Sequence, residues 1–391
     1  MKLLVSRREG TEREVTPLEL FFDLVYVFAI GELAHHLVEH VDLRTAAETL
    51  ILALAVIYAW FMTAWGSNWL DPGRLPVRLL LVGLMFASLL MSVSIADAFG
   101  DRAWLFVTGY LLLQVGRAVF LIVALRGRPH SAHFVNDLIW EAGVGVLWIA
   151  GAIADGDARI VLWAIAVAAT QAGVWSLHWL PGRGRAVDVA HTEVSAPHLI
   201  ERFRLFFIIA LGESVLSAGN AFAGEPYEPE RLAALAVAFT GTVALWWCYF
   251  ERAERIGADA AEAAEDAGMI GLRGTWTLVL IVLALIAIAV GDEMAIAHPH
   301  DDPTTGFTLL AFGGVALFLL AQTLFVAGTI GTVSRSRVIA LGALLVLALA
   351  TASSSLITGI AATTAVLAAV AAADTLATRR PPAPPPARRA M

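Results

Sequence analysis

Residues 18–38 make an apolar run about as long as one bilayer crossing, and eleven runs like it follow. They lie near 47–66, 78–97, 103–125, 136–154, 158–178, 198–219, 232–250, 273–296, 307–329, 336–351 and 355–376. A span takes roughly 20 mostly apolar residues. Lipid offers no partner to open backbone groups, and these runs are too long for barrel strands, which leaves helices as the economical solution. Composition agrees: 59% of residues are hydrophobic, 15% are charged, and mean hydropathy is +0.74. Soluble domains carry about a quarter charged residues. The sequence therefore predicts an all-α, polytopic transmembrane helix bundle of about 12 spans, whose last two are divided only by the polar patch 351–355.

The net charge of −8 does not suggest a nucleic-acid partner, because the placement of charge matters more than its sum. Cys248 is the single cysteine and excludes an intrachain disulfide. The first apolar run is long, charged and without a small-residue cleavage site, which argues against a cleaved leader. If the spans alternate, the loops on the N-terminal side hold most arginines, among them Arg74, Arg126, Arg183 and Arg335. The opposite loops hold only Arg44, Arg102, Arg159 and Arg231. This asymmetry places both termini in the cytoplasm.

Polar landmarks recur in order along the two halves. FAIGE at 28–32 matches IALGE at 209–213, 181 residues on. Arg78 and Asp97 match Arg273 and Asp292 at an offset of 195. Gln114 matches Gln322 at 208, and RGR at 126–128 matches RSR at 335–337 at 209. Offsets that grow in steps at loops are what insertions into surface connections produce. The expected organisation is a cytoplasmic N-terminus at 1–15, a first six-helix repeat at 16–185, a second at 190–377 and a Pro/Arg-rich tail at 378–391. Residues 251–270 extend the eighth helix into the cytoplasm in this scheme, and the tail lacks anything to bury. Six is an even number, so the repeats enter the membrane in one orientation and form a parallel pair, with a pathway expected near their interface.

A charge at the bilayer centre costs about 2.5–3.5 kcal/mol on insertion scales, so carboxylates inside spans usually face an interior. Glu19 follows Thr16-Pro17, where an acid suits a helix start. Asp23 lies one turn deeper, with Arg117, Arg202 and Arg204 as candidate partners. Asp137 and Glu141 lie at similar depth, and a buried Arg117–Glu141 or Arg117–Asp23 pair would hold helices in register. Glu32 and Glu213 each follow a glycine in the outer third of the first helix of a repeat, and Asp97 and Asp292 end the third helix of each repeat on the same side. His35, His36 and Glu39 share the helix face of Glu32. Such a carboxylate–imidazole cluster can exchange protons or bind a cation; the alternative is a set of wet helix ends. The E-x-x-H-H spacing is not the H-E-x-x-H of a zinc site, no metal set is assigned, and nothing names a cofactor. No phosphate-cradling loop, Ser-His-Asp spacing or nucleotide fingerprint is present.

ELFFDLVYVFAI in the first span, with His198, Glu201, Arg202, Leu205, Ile208, Leu211, Gly212, Glu213 and Ser214 in the seventh, resembles the bacterial low-temperature requirement A (LtrA) family. The likeness runs over about residues 14 to 376. It implies a multi-pass protein of the bacterial inner membrane, named for a requirement for growth in the cold, and brings no settled substrate. The first expectation is a proton- or cation-coupled transporter or permeation pathway between the repeats. Glu32, Glu213, Asp97, Asp292, His35 and His36 are its coupling candidates, with an inner charge network of Glu19, Asp23, Arg117, Asp137, Glu141, Glu201 and Arg202. Its partners are the lipid bilayer and a proton, cation or small solute. The rival expectations are a membrane-embedded enzyme or lipid-handling protein using Glu32, His35 and His36, which the sequence favours less, and a structural or sensory protein whose acids serve only packing.

Overall fold

The computed structural model describes residues 15–128, 130–185, 196–224, 226–253 and 267–378. The expected segments 1–14 and 379–391 lie outside these residues, as does 254–266 of the proposed helical extension. The helices are α1 (Pro17–Glu39), α2 (Leu43–Ser67), α3 (Leu75–Ser92), α4 (Ala103–Ala124), α5 (Ser131–Ile153) and α6 (Asp157–Trp175). They continue with α7 (Ala196–Ala223), α8 (Pro229–Cys248), α9 (Ala267–Ala297), α10 (Thr305–Ile330), α11 (Arg335–Ala350) and α12 (Leu356–Thr378). The described residues contain no strand, and each apolar run of the sequence holds one helix. Ten of the helices are long and apolar enough to cross a membrane. The other two are α1, which carries Glu19, Asp23, Glu32 and Glu39, and α11, which has 16 residues. The chain is a multi-pass membrane protein.

Local chemistry sets several ends. Thr16 and Glu19 form a reciprocal capping box at the start of α1, the Thr16 amide donating to Glu19 Oε2 at 2.9 Å, with Pro17 in the first turn. Thr16→Ala is expected to cost about 1 kcal/mol, read as a lower melting temperature; an unchanged melt would mean that packing alone holds this end. Asp42 caps α2 by accepting the Thr45 amide at 2.8 Å, and that bond holds its carboxyl below the ordinary value. Gly331, at φ +69°, stops α10 in the left-handed region that a glycine enters freely. One expected boundary is corrected. The third helix ends at Ser92, and Asp97 lies in a separate 3-10 turn, Ile95–Asp97, where it accepts the Asp101 amide at 3.0 Å. Arg102 fixes this corner by donating to the Val93 carbonyl at 2.7 Å. After α8 the chain passes directly into a π turn at Tyr249–Ala253.

α1 is central: it packs on α2 and α3 and, across the molecule, on α7 and α9. α7 in turn packs on α8 and α9. Neighbours in sequence then pair, α3 on α4, α4 on α5 and α5 on α6, as do α9 on α10, α10 on α11 and α11 on α12. Close crossings rest on small residues, as association within lipid requires. A Cβ on Gly109 of α4 would stand 2.7 Å from Met91 N and 2.8 Å from Ala87 O of α3. A Cβ on Gly314 of α10 would stand 3.1 Å from Ile288 N and 3.2 Å from Ala284 O of α9. α2 is the most enclosed span and brings Trp60 against Phe206 of α7, ring centres 4.1 Å apart.

Candidate functional site

Where α1 meets α7, two pairs of polar residues one helical turn apart face each other. Glu19 and Asp23 come from α1, and His198 and Arg202 come from α7; Glu19, Asp23, His198 and Arg202 are all buried. Arg202 Nε donates to Asp23 Oδ2 at 3.1 Å, and Nη2 donates to Asp23 Oδ1. Trp60 Nε1 of α2 donates to the same Oδ1 at 2.7 Å. His198 Nε2 lies 3.4 Å from Glu19 Oε1, and Arg202 Nη1 lies 3.3 Å from Ser67 Oγ. Glu19 therefore serves both as a capping acid and as part of the contact with α7. Asp23 takes Arg202 as its partner and not Arg117. Glu201 stands apart from this inner network: it turns to a more open face and pairs with Arg204 at 3.3 Å.

Two further arginines are buried with acids. Arg117 of α4 lies 3.2 Å from Asp137 of α5 and donates to Gln114. Glu141, expected as a possible partner for Arg117, instead accepts from the Tyr58 hydroxyl at 2.6 Å. Arg337, which its sequence position marks as a flanking charge, is buried and bidentate with Asp374, at 3.0 and 2.9 Å. It also donates to Gln322 at 2.9 Å. The signal available in the sequence was Asp374, an acid within the last apolar run.

The opposite end of the α1–α7 contact is different. Gly31 admits the Glu213 carboxylate so closely that a Cβ there would lie 2.5 Å from Glu213 Oε1. The charged neighbour of Glu213 is Glu32, and no arginine enters the pair among the described residues. One turn further along α7, Ser217 donates to Glu293 of α9 at 2.9 Å. Asp292 lies within α9 and not at its end, so Asp97 and Asp292 occupy different local structures. His35 is exposed and pairs with Glu39 at 3.5 Å, whereas His36 turns to Glu48 of α2 at 3.5 Å. The shared helix face of Glu32, His35 and His36 is thus divided among separate partners. Among the described residues, no three His, Cys, Asp or Glu side chains are gathered to hold a metal ion.

The family model described as bacterial low temperature requirement A protein (LtrA) matches residues 14–372. This chain belongs to the LtrA family. An uncharacterized protein of Rhizobium meliloti (strain 1021) is 33% identical to this LtrA chain over 359 residues, covering 91% of the chain and 86% of that protein. No solved structure matches it.

The two LtrA motifs meet in space. The first-helix motif supplies Glu19 and Asp23, and the seventh-helix motif supplies Arg202, whose guanidinium faces both acids, and His198, which lies against Glu19. Beyond that contact the first motif ends near Gly31 and the second carries Glu213, so the same pair of helices brings together a closed ionic zipper and an un-neutralised acidic pair. Trp60, Ser217 and Glu293 also belong to these contacts. Sequence gave no sign of them, because an aromatic residue or a serine in an apolar span does not announce which face it occupies.

Proposed function

We propose that this LtrA protein is a proton- or cation-coupled transporter or permeation pathway running along the seam between two tandem six-helix units. The single observation that carries this reading is the Glu32–Glu213 pair, placed at the α1–α7 crossing without a basic partner. A coupling group has to change charge during a cycle, and an acid locked to arginine cannot readily do so. Asp23, Asp137 and Asp374 are each locked in that way. Among the described residues, Glu32 and Glu213 stand as a pair without a third acid or imidazole gathered beside them, and the group they would exchange in this reading is a proton or a hydrated cation. In this scheme Asp23 and Arg202 close the inner end, and Glu32 and Glu213 face the outer side. Two tandem units are supported by the matched glycine crossings, Gly109 on α3 and Gly314 on α9. The arginine bias of the loops supports cytoplasmic termini and a place in the bacterial inner membrane.

The test is proton and cation flux in proteoliposomes. Glu213→Gln and Glu32→Gln are expected each to reduce flux at least tenfold while leaving accumulation unchanged. Unaltered flux in both variants would remove these acids from the mechanism. The three sealed arginine–carboxylate pairs favour a second reading, a structural or sensory membrane protein; in that case wild-type vesicles show no flux at all, and the variants alter only stability.

A further inference from the structure

The first six helices enclose a polar centre that the seam does not use. Asp137 and Glu141, one turn apart on α5, are both fully buried and face a single guanidinium, that of Arg117. Glu141 Oε1 accepts from Tyr58, while Glu141 Oε2 has no hydrogen-bond partner. The same is true of Asp137 Oδ1, Arg117 Nε and both ring nitrogens of His133 and of His178, all buried. Buried polar atoms are nearly always partnered, and a proton on one of the two acids would supply a donor that neither carboxylate has when ionised. Two carboxylates against one guanidinium also leave one negative charge in excess, which an apolar interior does not tolerate alone.

We propose that this centre binds one exchangeable proton, seated on Glu141 and reached from the end of the bundle where α5 begins. His130, partly exposed, precedes α5, and His133 lies in its first turn. The rings of His133 and His178 are 5.5 Å apart, and His178 Nε2 is 3.5 Å from Asp137 Oδ1. Asp137 adjoins Glu141 on the next turn. From Ser131 to Glu141 the helix rises ~15 Å, which is about half of the ~30 Å hydrocarbon layer. The titratable and charged groups facing the centre are Tyr26 of α1, Tyr58 of α2, Tyr110 and Arg117 of α4, His133 and Asp137 of α5, and His178 beyond α6. None of this depends on the pathway proposed for the seam.

The test is pH-difference infrared spectroscopy on the full chain in lipid nanodiscs, in H2O and D2O. The expected result is a carboxylic-acid C=O band that shifts in D2O, disappears in Glu141→Gln, moves in Tyr58→Phe and persists in Glu213→Gln. Glu141→Gln removes the excess charge at nearly constant volume and should accumulate like the wild type. A band untouched by Glu141→Gln would overturn the proposal, as would a band that does not respond to D2O. Failure of Glu141→Gln to accumulate would also overturn it, since the amide imitates the protonated acid.

Discussion

Arg202→Ala is expected to abolish accumulation of folded protein. The substitution leaves Asp23 buried with only the Trp60 indole as a donor, and it also removes a positive charge 3.9 Å from buried Glu19. Removing one member of a buried ion pair costs about 3–5 kcal/mol, a large part of the roughly 5–15 kcal/mol that keeps a domain folded. The loss should appear as a reduced monodisperse yield on size exclusion and a lower melting temperature. Asp23→Asn combined with Arg202→Gln should recover part of that loss, because neither side of the α1–α7 contact then keeps an unmatched charge. A normal yield from Arg202→Ala alone would mean that water reaches Asp23, and the closed inner end of the proposed pathway would have to be abandoned.

Gly109→Leu is expected to disrupt assembly as severely, for a steric reason. Its first added carbon would already lie 2.7 Å from Met91 N and 2.8 Å from Ala87 O. Both are backbone atoms of α3 and cannot swing aside as a side chain does. The helices must separate, and the close packing that associates them in lipid is lost; overpacking costs about 1–3 kcal/mol or more even where side chains can yield. Gly83→Leu is the control, because a Cβ at Gly83 meets nothing within 4 Å on its open face. The pair of variants should differ clearly in melting temperature. Equal behaviour would show that the α3–α4 crossing is looser than its geometry implies.

Much of the architecture was legible in the chain because the bilayer imposes a length on every span. Each apolar run became one helix, and the ends carrying strong local chemistry, such as Thr16 with Glu19, fell where capping places them. The third helix was misjudged because Val93–Asp97 remains apolar enough to extend a span, whereas the Arg102–Val93 contact turns the chain. The polar sites were less legible. Glu201 and Arg202 are adjacent in one motif, yet one turns to a more open face and the other is buried, since successive residues on a helix point about 100° apart. The grouping of Glu32 with His35 and His36 had correct spacing on α1 but could not anticipate Glu48 reaching in from α2. Arg337 read as a flanking charge because its partner, Asp374, is 37 residues away in sequence.

By itself, the sequence determined that this is a membrane protein, where the helices of the described residues lie, their order, and which ionisable groups had to be accommodated among them. Tertiary structure alone decided which acid meets which base, and which acids meet none. The physical reason is that protein interior and lipid are similarly apolar: a span such as α10, apolar on nearly every side, carries no charged face to mark the direction of its core. Only the rotation and crossing of neighbouring helices bring Asp23 to Arg202 and leave Glu213 beside Glu32.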